Sequence, residues 1–130
     1  MKVALCHLEL SNGPEQKNIE LLEKAVRIAA EKGANWVITP ETAVQGYYFY
    51  KLEPETKVDK QPSSKLSFLL SLVKDYGLFL FLGCGEYDSE LNCNFNSCIV
   101  FEPSGEICGR HRKIISHGIG ADLGRELQMY

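Results

Sequence analysis

The sequence has no apolar run near the roughly 20 residues that a membrane-spanning helix needs. Its apolar runs, such as Leu78 to Leu82, are far shorter, and the residues after Met1 lack the charged and apolar regions of a secretory leader. A soluble, cytoplasmic chain with no membrane partner is therefore expected. A surplus of positive charge is also missing. The 14 Lys and Arg are scattered among 17 Asp and Glu, for a net charge of −3 and a pI near 5.6, so no cationic stripe exists to neutralise phosphates and nucleic acid is not an expected partner. Cysteines are present but do not pair off: there are 5, an odd number in a chain without an export signal, which points to reduced thiols. Cys93, Cys98, Cys108 and His111 could be grouped as a zinc set. Their C-x4-C-x9-C-x2-H spacing lacks the C-x2-C knuckle that metal sites favour, and Cys98 and Cys108 also fit as small apolar strand residues; no metal is expected. Repeats, low-complexity tracts and an interdomain linker are absent too. The remainder, 130 residues with 45% hydrophobic and 24% charged content, suits one domain around one core.

Residues Lys2 to Leu10 are apolar-rich and alternating, and read as a first strand. A turn is expected at Ser11, Asn12 and Gly13. Pro14 suits the first turn of a helix of about 18 residues, whose Ile19, Leu22, Val26 and Ala29 share a face and which Gly33 ends. Trp36, Val37, Ile38 and Thr39 form a short β-type run stopped by Pro40. Strand, crossover helix and strand make a βαβ unit. The stretch from Glu41 to Gln61 has no clear period and is long for a connection within a compact domain, a length more often functional or disordered. A second helix is predicted from Pro62 to Tyr76, with Leu66, Leu69, Leu70 and Val73 on one face and Gly77 at its end. Strands are predicted at Leu78 to Gly83, Ser97 to Phe101 and Ile107 to Ile115, the last two joined by a turn at Pro103, Ser104 and Gly105.

Glu41 follows the second β-type run, which places a carboxylate at the carboxyl end of a parallel strand, where open α/β sheets build their sites. A lone glutamate there is more often a solvated surface residue. Gly46, Tyr47, Tyr48, Phe49 and Tyr50 follow closely, and aromatic bulk would desolvate the carboxylate and raise its pKa into the range of a general base. Lys113 ends the run Gly109-Arg110-His111-Arg112-Lys113. An isolated basic cluster is usually a solvated face, whereas a lysine at a strand end near a carboxylate can hold a developing oxyanion. Cys84, between Gly83 and Gly85, could be an exposed elbow thiol, although a structural cysteine fits better. Ser116 and His117 lack the G-x-S-x-G context of a serine hydrolase.

The segment Ala34-Asn35-Trp36-Val37-Ile38-Thr39-Pro40-Glu41, followed by Gly46-Tyr47 and preceded by a helix bearing Asn18, resembles the glutamate motif of the nitrilase superfamily of carbon–nitrogen hydrolases. Asn96-Ser97-Cys98-Ile99-Val100-Phe101, then Gly105-Glu106-Ile107 and Arg112-Lys113, resembles the hairpin that leads into that family's lysine motif, with His111 where an aromatic residue is usual. The resemblance covers the whole chain and implies an α/β fold, namely the amino-terminal part of an α/β/β/α sandwich, over a domain 1–130 whose carboxyl-terminal part is missing. It further implies a Glu-Lys-Cys triad without metal or organic cofactor, acting on a small amide, carbamoyl or nitrile substrate, and a homo-oligomer. Glu41 would be the base and Lys113 the oxyanion clamp, with Tyr47 in support; Glu126 stands either in the place of a second glutamate beside the lysine or as an exposed helix residue. None of the five cysteines stands where the family's nucleophile follows the lysine. A rival reading is a truncated, non-catalytic α/β module that acts by self-association or partner binding.

Overall fold

The computed structural model describes residues 1–12, 14–47 and 57–113. Tyr48, Phe49, Tyr50, Pro54, Ile114, Ile115, Ser116, His117 and Glu126 lie outside the described residues. Strand β1 (Val3–Leu5) leads through helix α1 (Glu15–Glu31) into β2 (Trp36–Ile38); a 3-10 turn (Ser64–Leu66) and helix α2 (Ser67–Tyr76) precede β3 (Phe79–Asp88), β4 (Cys93–Phe101) and β5 (Ile107–Arg112). The sheet order is β1-β2-β3-β4-β5. The first three strands run parallel, with Val3 opposite Trp36 and Trp36 opposite Phe79, and the last two are antiparallel.

The βαβ unit forms where the periodicity places it, but with a shorter first strand than Lys2 to Leu10. Among the described residues β1 pairs with β2 alone, which is itself three residues long. One further bond, from Cys6 N to Ile38 O at 2.9 Å, closes the ladder. Strand β3, by contrast, runs beyond Gly83 to Asp88. Glycine is weak strand material, yet β4 offers β3 nine consecutive partners, from Leu80 opposite Phe101 to Asp88 opposite Cys93, and the ladder overrides propensity. Asp88 closes this hairpin, its Oδ1 accepting from the backbone N–H of Glu90 at 2.9 Å and of Leu91 at 3.0 Å, the local bonding that makes aspartate a turn residue.

Helix α1 buries Asn18 together with Ile19, Leu22, Val26 and Ala29. The second helix differs from the predicted Pro62–Tyr76 span: the Ser63 hydroxyl accepts the Lys65 N–H and starts a 3-10 turn, and α-helix begins only at Ser67. Leu66, Leu69 and Val73 are buried as predicted, but Leu72 joins them while Leu70 is only partly covered. Lys65 Nζ bridges Glu15 at the start of α1, at 2.8 Å, and Asp59, at 2.9 Å.

Strand alternation then sorts the sheet into two faces. Val37, Leu80, Leu82, Ile99 and Phe101 are fully buried in one core with both helices. The other face carries Trp36, Phe79 and Phe81, half-buried, with the Trp36 ring 5.2 Å from that of Phe81. At the edge of that face, Leu5 is 65% exposed. No helix covers this second face among the described residues.

Candidate active site

Three ties bring Glu41 from the end of β2 onto the middle of β3. Thr39 N donates to Phe81 O at 3.0 Å, and the Thr39 hydroxyl accepts from Gly83 N at 2.9 Å. Gln45 clamps β3 through both ends of its amide, accepting from Gly85 N at 2.7 Å and donating to Gly85 O at 3.4 Å. Buried Asn18 reaches out of α1 to donate to Val44 O at 3.1 Å and Ser11 O at 2.9 Å. Gly83 is the position that permits the close approach, because a Cβ there would lie 2.2 Å from Pro40 O and 3.0 Å from Glu41 Cα. Thr42, directly after Glu41, is fully buried at φ +51°, a left-handed conformation that is costly for a β-branched residue.

Lys113 follows the last residue of β5, and its backbone N donates to Asn96 O at 2.8 Å. Its ammonium crosses β4 and donates to Glu41 Oε1 at 2.5 Å. The Asn96 side chain donates to that same oxygen at 2.7 Å, and Tyr47 OH donates to Oε2 at 3.4 Å. The fold therefore brings together Glu41, Lys113 and Tyr47, while Glu126 lies outside the described residues. A cleft of about 290 Å³ opens over the group, with Gly83, Cys98 and His111 among its lining.

Sequence reasoning anticipated a Glu41 pKa raised by aromatic desolvation. The opposite holds: the Lys113 ammonium hydrogen-bonded to it, opposed by partial burial and helped by Asn96 and Tyr47, keeps its carboxyl below the ordinary carboxylate value. The Glu41 side chain is 37% exposed, and Tyr47 serves it as a donor rather than as an apolar wall.

The basic run before Lys113 is likewise more than a solvated face. Strand alternation sends His111 and Lys113 to the cleft and turns Arg110 and Arg112 to the opposite side. There they grip Glu86, a carboxylate only 3% exposed: Arg110 Nε lies 3.0 Å and Arg112 Nε 2.5 Å from its two oxygens. Arg112 also pairs with Asp88 at 2.9 Å and lies 4.1 Å over the Phe95 ring. Glu86 and Asn96 are the residues that sequence reasoning missed. A carboxylate directly after the apolar and glycine run at 78–85 was the available signal for Glu86. Asn96 stands in the hairpin motif, but only the strand order gives it a part at Glu41.

The thiols are distributed differently. Cys84 is fully buried on the helix side of β3, and burial, reinforced by Glu86, pushes its thiol up to about 12. It is a core residue and not an exposed elbow. Cys98 is half-buried in the cleft, with its thiol also raised by burial. Cys108 is exposed on β5, not packed as a small apolar residue. Among the described residues no group of three or more His, Cys, Asp and Glu is placed to hold a metal.

A family model described as carbon-nitrogen hydrolase matches residues 2–120. The chain belongs to that family. Among the relatives of this chain is a nitrilase of Pyrococcus abyssi, 31% identical over 116 residues, covering 88% of this chain and 43% of the relative. An omega-amidase of Xenopus laevis is 32% identical over 97 residues, covering 75% of this chain and 34% of its own length. Among solved structures, Saccharomyces cerevisiae Nit3, a member of branch 10 of the nitrilase superfamily, shares the fold with a TM-score of 0.72 at 25% identity, over 88% of this chain and 44% of that one. The chain thus has the α/β nitrilase-type fold and spans less than half the length of these relatives.

Proposed function

We propose that Glu41 and Lys113 are the base and the oxyanion clamp of a hydrolase acting on non-peptide carbon–nitrogen bonds, in small amides, carbamoyl compounds or nitriles. The observation that carries this reading is the ion pair they form in the cleft, from positions 72 residues apart. With an amide, Glu41 takes the proton of a thiol, and the thiolate attacks the carbonyl carbon while the π electrons move onto oxygen, where the Lys113 ammonium balances the charge. Collapse breaks the C–N bond, the proton goes to the leaving nitrogen, and a thioester remains. Glu41 then deprotonates water, which releases the acid and restores the thiol.

That thiol is not among the five in this sequence. Cys84 is sealed in the core, and burial disfavours the thiolate of Cys98. We place the nucleophile in sequence following Tyr130, so that residues 1–130 supply part of a domain and have little activity alone. Tyr47 supports Glu41 through its hydroxyl, and Glu126 is assigned to hold Lys113. The same reading includes a cytoplasmic homo-oligomer that works without metal or organic cofactor. The face bearing Leu5 and Trp36, which no helix covers among the described residues, favours a second reading, in which the chain is a non-catalytic module that acts by association.

The test is a hydrolysis assay on primary amides, ω-amides, N-carbamoyl compounds and nitriles, comparing residues 1–130 with a protein extended past Tyr130. Turnover is expected only from the extended protein, and Glu41→Gln abolishes it. Glu41→Gln activity equal to the parent, or the lack of turnover on every class, would sink the catalytic reading in favour of the module. Turnover by residues 1–130 alone would instead bring a thiol of this chain back as the nucleophile.

A further inference from the structure

We propose that Asn96 is a positioning residue that divides the labour of the Glu41 carboxylate, engaging Oε1 as the fixed end and leaving Oε2 as the atom that takes the proton. The second half of this statement rests on the reading of Glu41 as a base. The first rests on geometry alone.

Asn96 touches both members of the pair by different means. Its backbone carbonyl accepts Lys113 N at 2.8 Å, which sets where the lysine leaves the sheet. Its side-chain Nδ2 donates to Glu41 Oε1 at 2.7 Å. Its own place is set by the ladder, opposite Gly85 on β3, the residue that Gln45 clamps from the Glu41 loop. One strand position thus registers carboxylate and ammonium against each other.

A carboxylate oxygen has about two lone-pair sites, and on Oε1 both are engaged, by Lys113 Nζ and by Asn96 Nδ2. Oε2 accepts the longer bond from Tyr47, at 3.4 Å. A proton arriving at Oε1 would have to displace a charge-assisted bond or the amide bond, whereas at Oε2 it meets the weakest of the three donors. The residue type follows. A neutral amide donates without adding charge, an aspartate would set a second negative charge against Glu41, and an alanine would leave one site of Oε1 open. Among the described residues, the titratable or charged groups around Glu41 are Lys113, Tyr47, His111 and Cys98.

The experiment follows the 13C resonance of the Glu41 carboxyl through a pH titration of the whole protein, assigned by its loss in Glu41→Gln, in the parent, Asn96→Ala and Asn96→Asp. Asn96→Ala keeps the backbone carbonyl and hence the Lys113 N bond. Its Glu41 midpoint is expected to move up, and that of Asn96→Asp further, because a like charge replaces a donor. In turnover, the acid limb of kcat/KM moves to higher pH by the same amount, and kcat falls about tenfold with little change in KM. Asn96→Ser, which restores a donor, recovers part of both shifts. If Asn96→Ala misfolds by circular dichroism, Asn96→Asp and Asn96→Ser still test the claim. Midpoints equal to the parent in the folded variants overturn the role of Asn96, whatever happens to the rate. Shifted midpoints with an unmoved acid limb leave Asn96 acting on Glu41 and overturn Glu41 as the base.

Discussion

Lys113 Nζ donates to Glu41 Oε1 at 2.5 Å although 72 residues separate them in the chain. The contact joins a loop anchored to α1 and β3 with the end of β5. Its chemistry therefore depends on the packing of β2, β3, β4 and β5 in one order. The Lys113 ammonium beside it favours the ionised form of the Glu41 carboxylate.

Replacing Lys113 by Met should raise the Glu41 pKa, since the lysine hydrogen bond is the largest influence holding it down. The shift stays partial because Asn96 and Tyr47 still donate. In the extended protein, kcat/KM should fall about a hundredfold or more, the usual cost of removing an oxyanion donor. Carboxyl 13C titration checks the first effect and steady-state kinetics the second; an unshifted carboxyl would mean that the ion pair does not form in solution.

Gly83→Ala should disturb the site through the backbone. The added Cβ meets Pro40 O at 2.2 Å, and no side-chain rotation can relieve a main-chain contact, so the Glu41 turn must lift from β3. We expect a loss of about 1–3 kcal/mol in unfolding free energy, measured by urea denaturation, together with a changed Glu41 titration. Parental values for both would refute the close approach.

Glu86→Ala removes the carboxylate that both Arg110 and Arg112 share. Breaking a fully buried pair costs about 3–5 kcal/mol. Arg110 is 39% and Arg112 29% exposed, so both can rehydrate, and about 2 kcal/mol is expected instead. Glu86→Gln, which keeps volume and an acceptor, should lose less. Urea midpoints for the two variants test the order, and a midpoint unchanged in Glu86→Ala would count against the network.

Stability should fall at both extremes of pH. Glu41 and Asp59 have folded pKa values below their ordinary 4.5 and 3.8, so what they contribute is present above those values and is lost as pH falls through the lower folded ones. Lys65, held by Glu15 and Asp59, is raised from 10.5 to about 12. Its contribution is complete below 10.5 and disappears as pH rises toward 12. These side chains are partly or largely exposed, so each effect is under about 1 kcal/mol. Thermal scans across pH should show both limbs, and Lys65→Met should flatten the alkaline one; an alkaline limb identical in that variant would exclude Lys65 as its source.

The sequence by itself determined the elements whose signals are local. The spacing of Ile19, Leu22, Val26 and Ala29, the Pro14 start and the Gly33 stop suffice for α1, because helical bonds run between residues four apart. The β-type run before Pro40 likewise marks β2, and with it the carboxylate at its end, and the two short motifs around Glu41 and Lys113 suffice for the family. Tertiary structure decided the rest. Gly83 and Gly85 read as a strand end until β4 supplies their partners. The basic run at 109–113 reads as one patch until alternation divides it between Glu86 and the cleft. The pKa of Glu41 could not be read from its aromatic neighbours in sequence, because a cation 72 residues away and an asparagine on the next strand but one govern it. Electrostatics and strand pairing depend on distance in space, and a linear sequence displays that distance only where the fold is local.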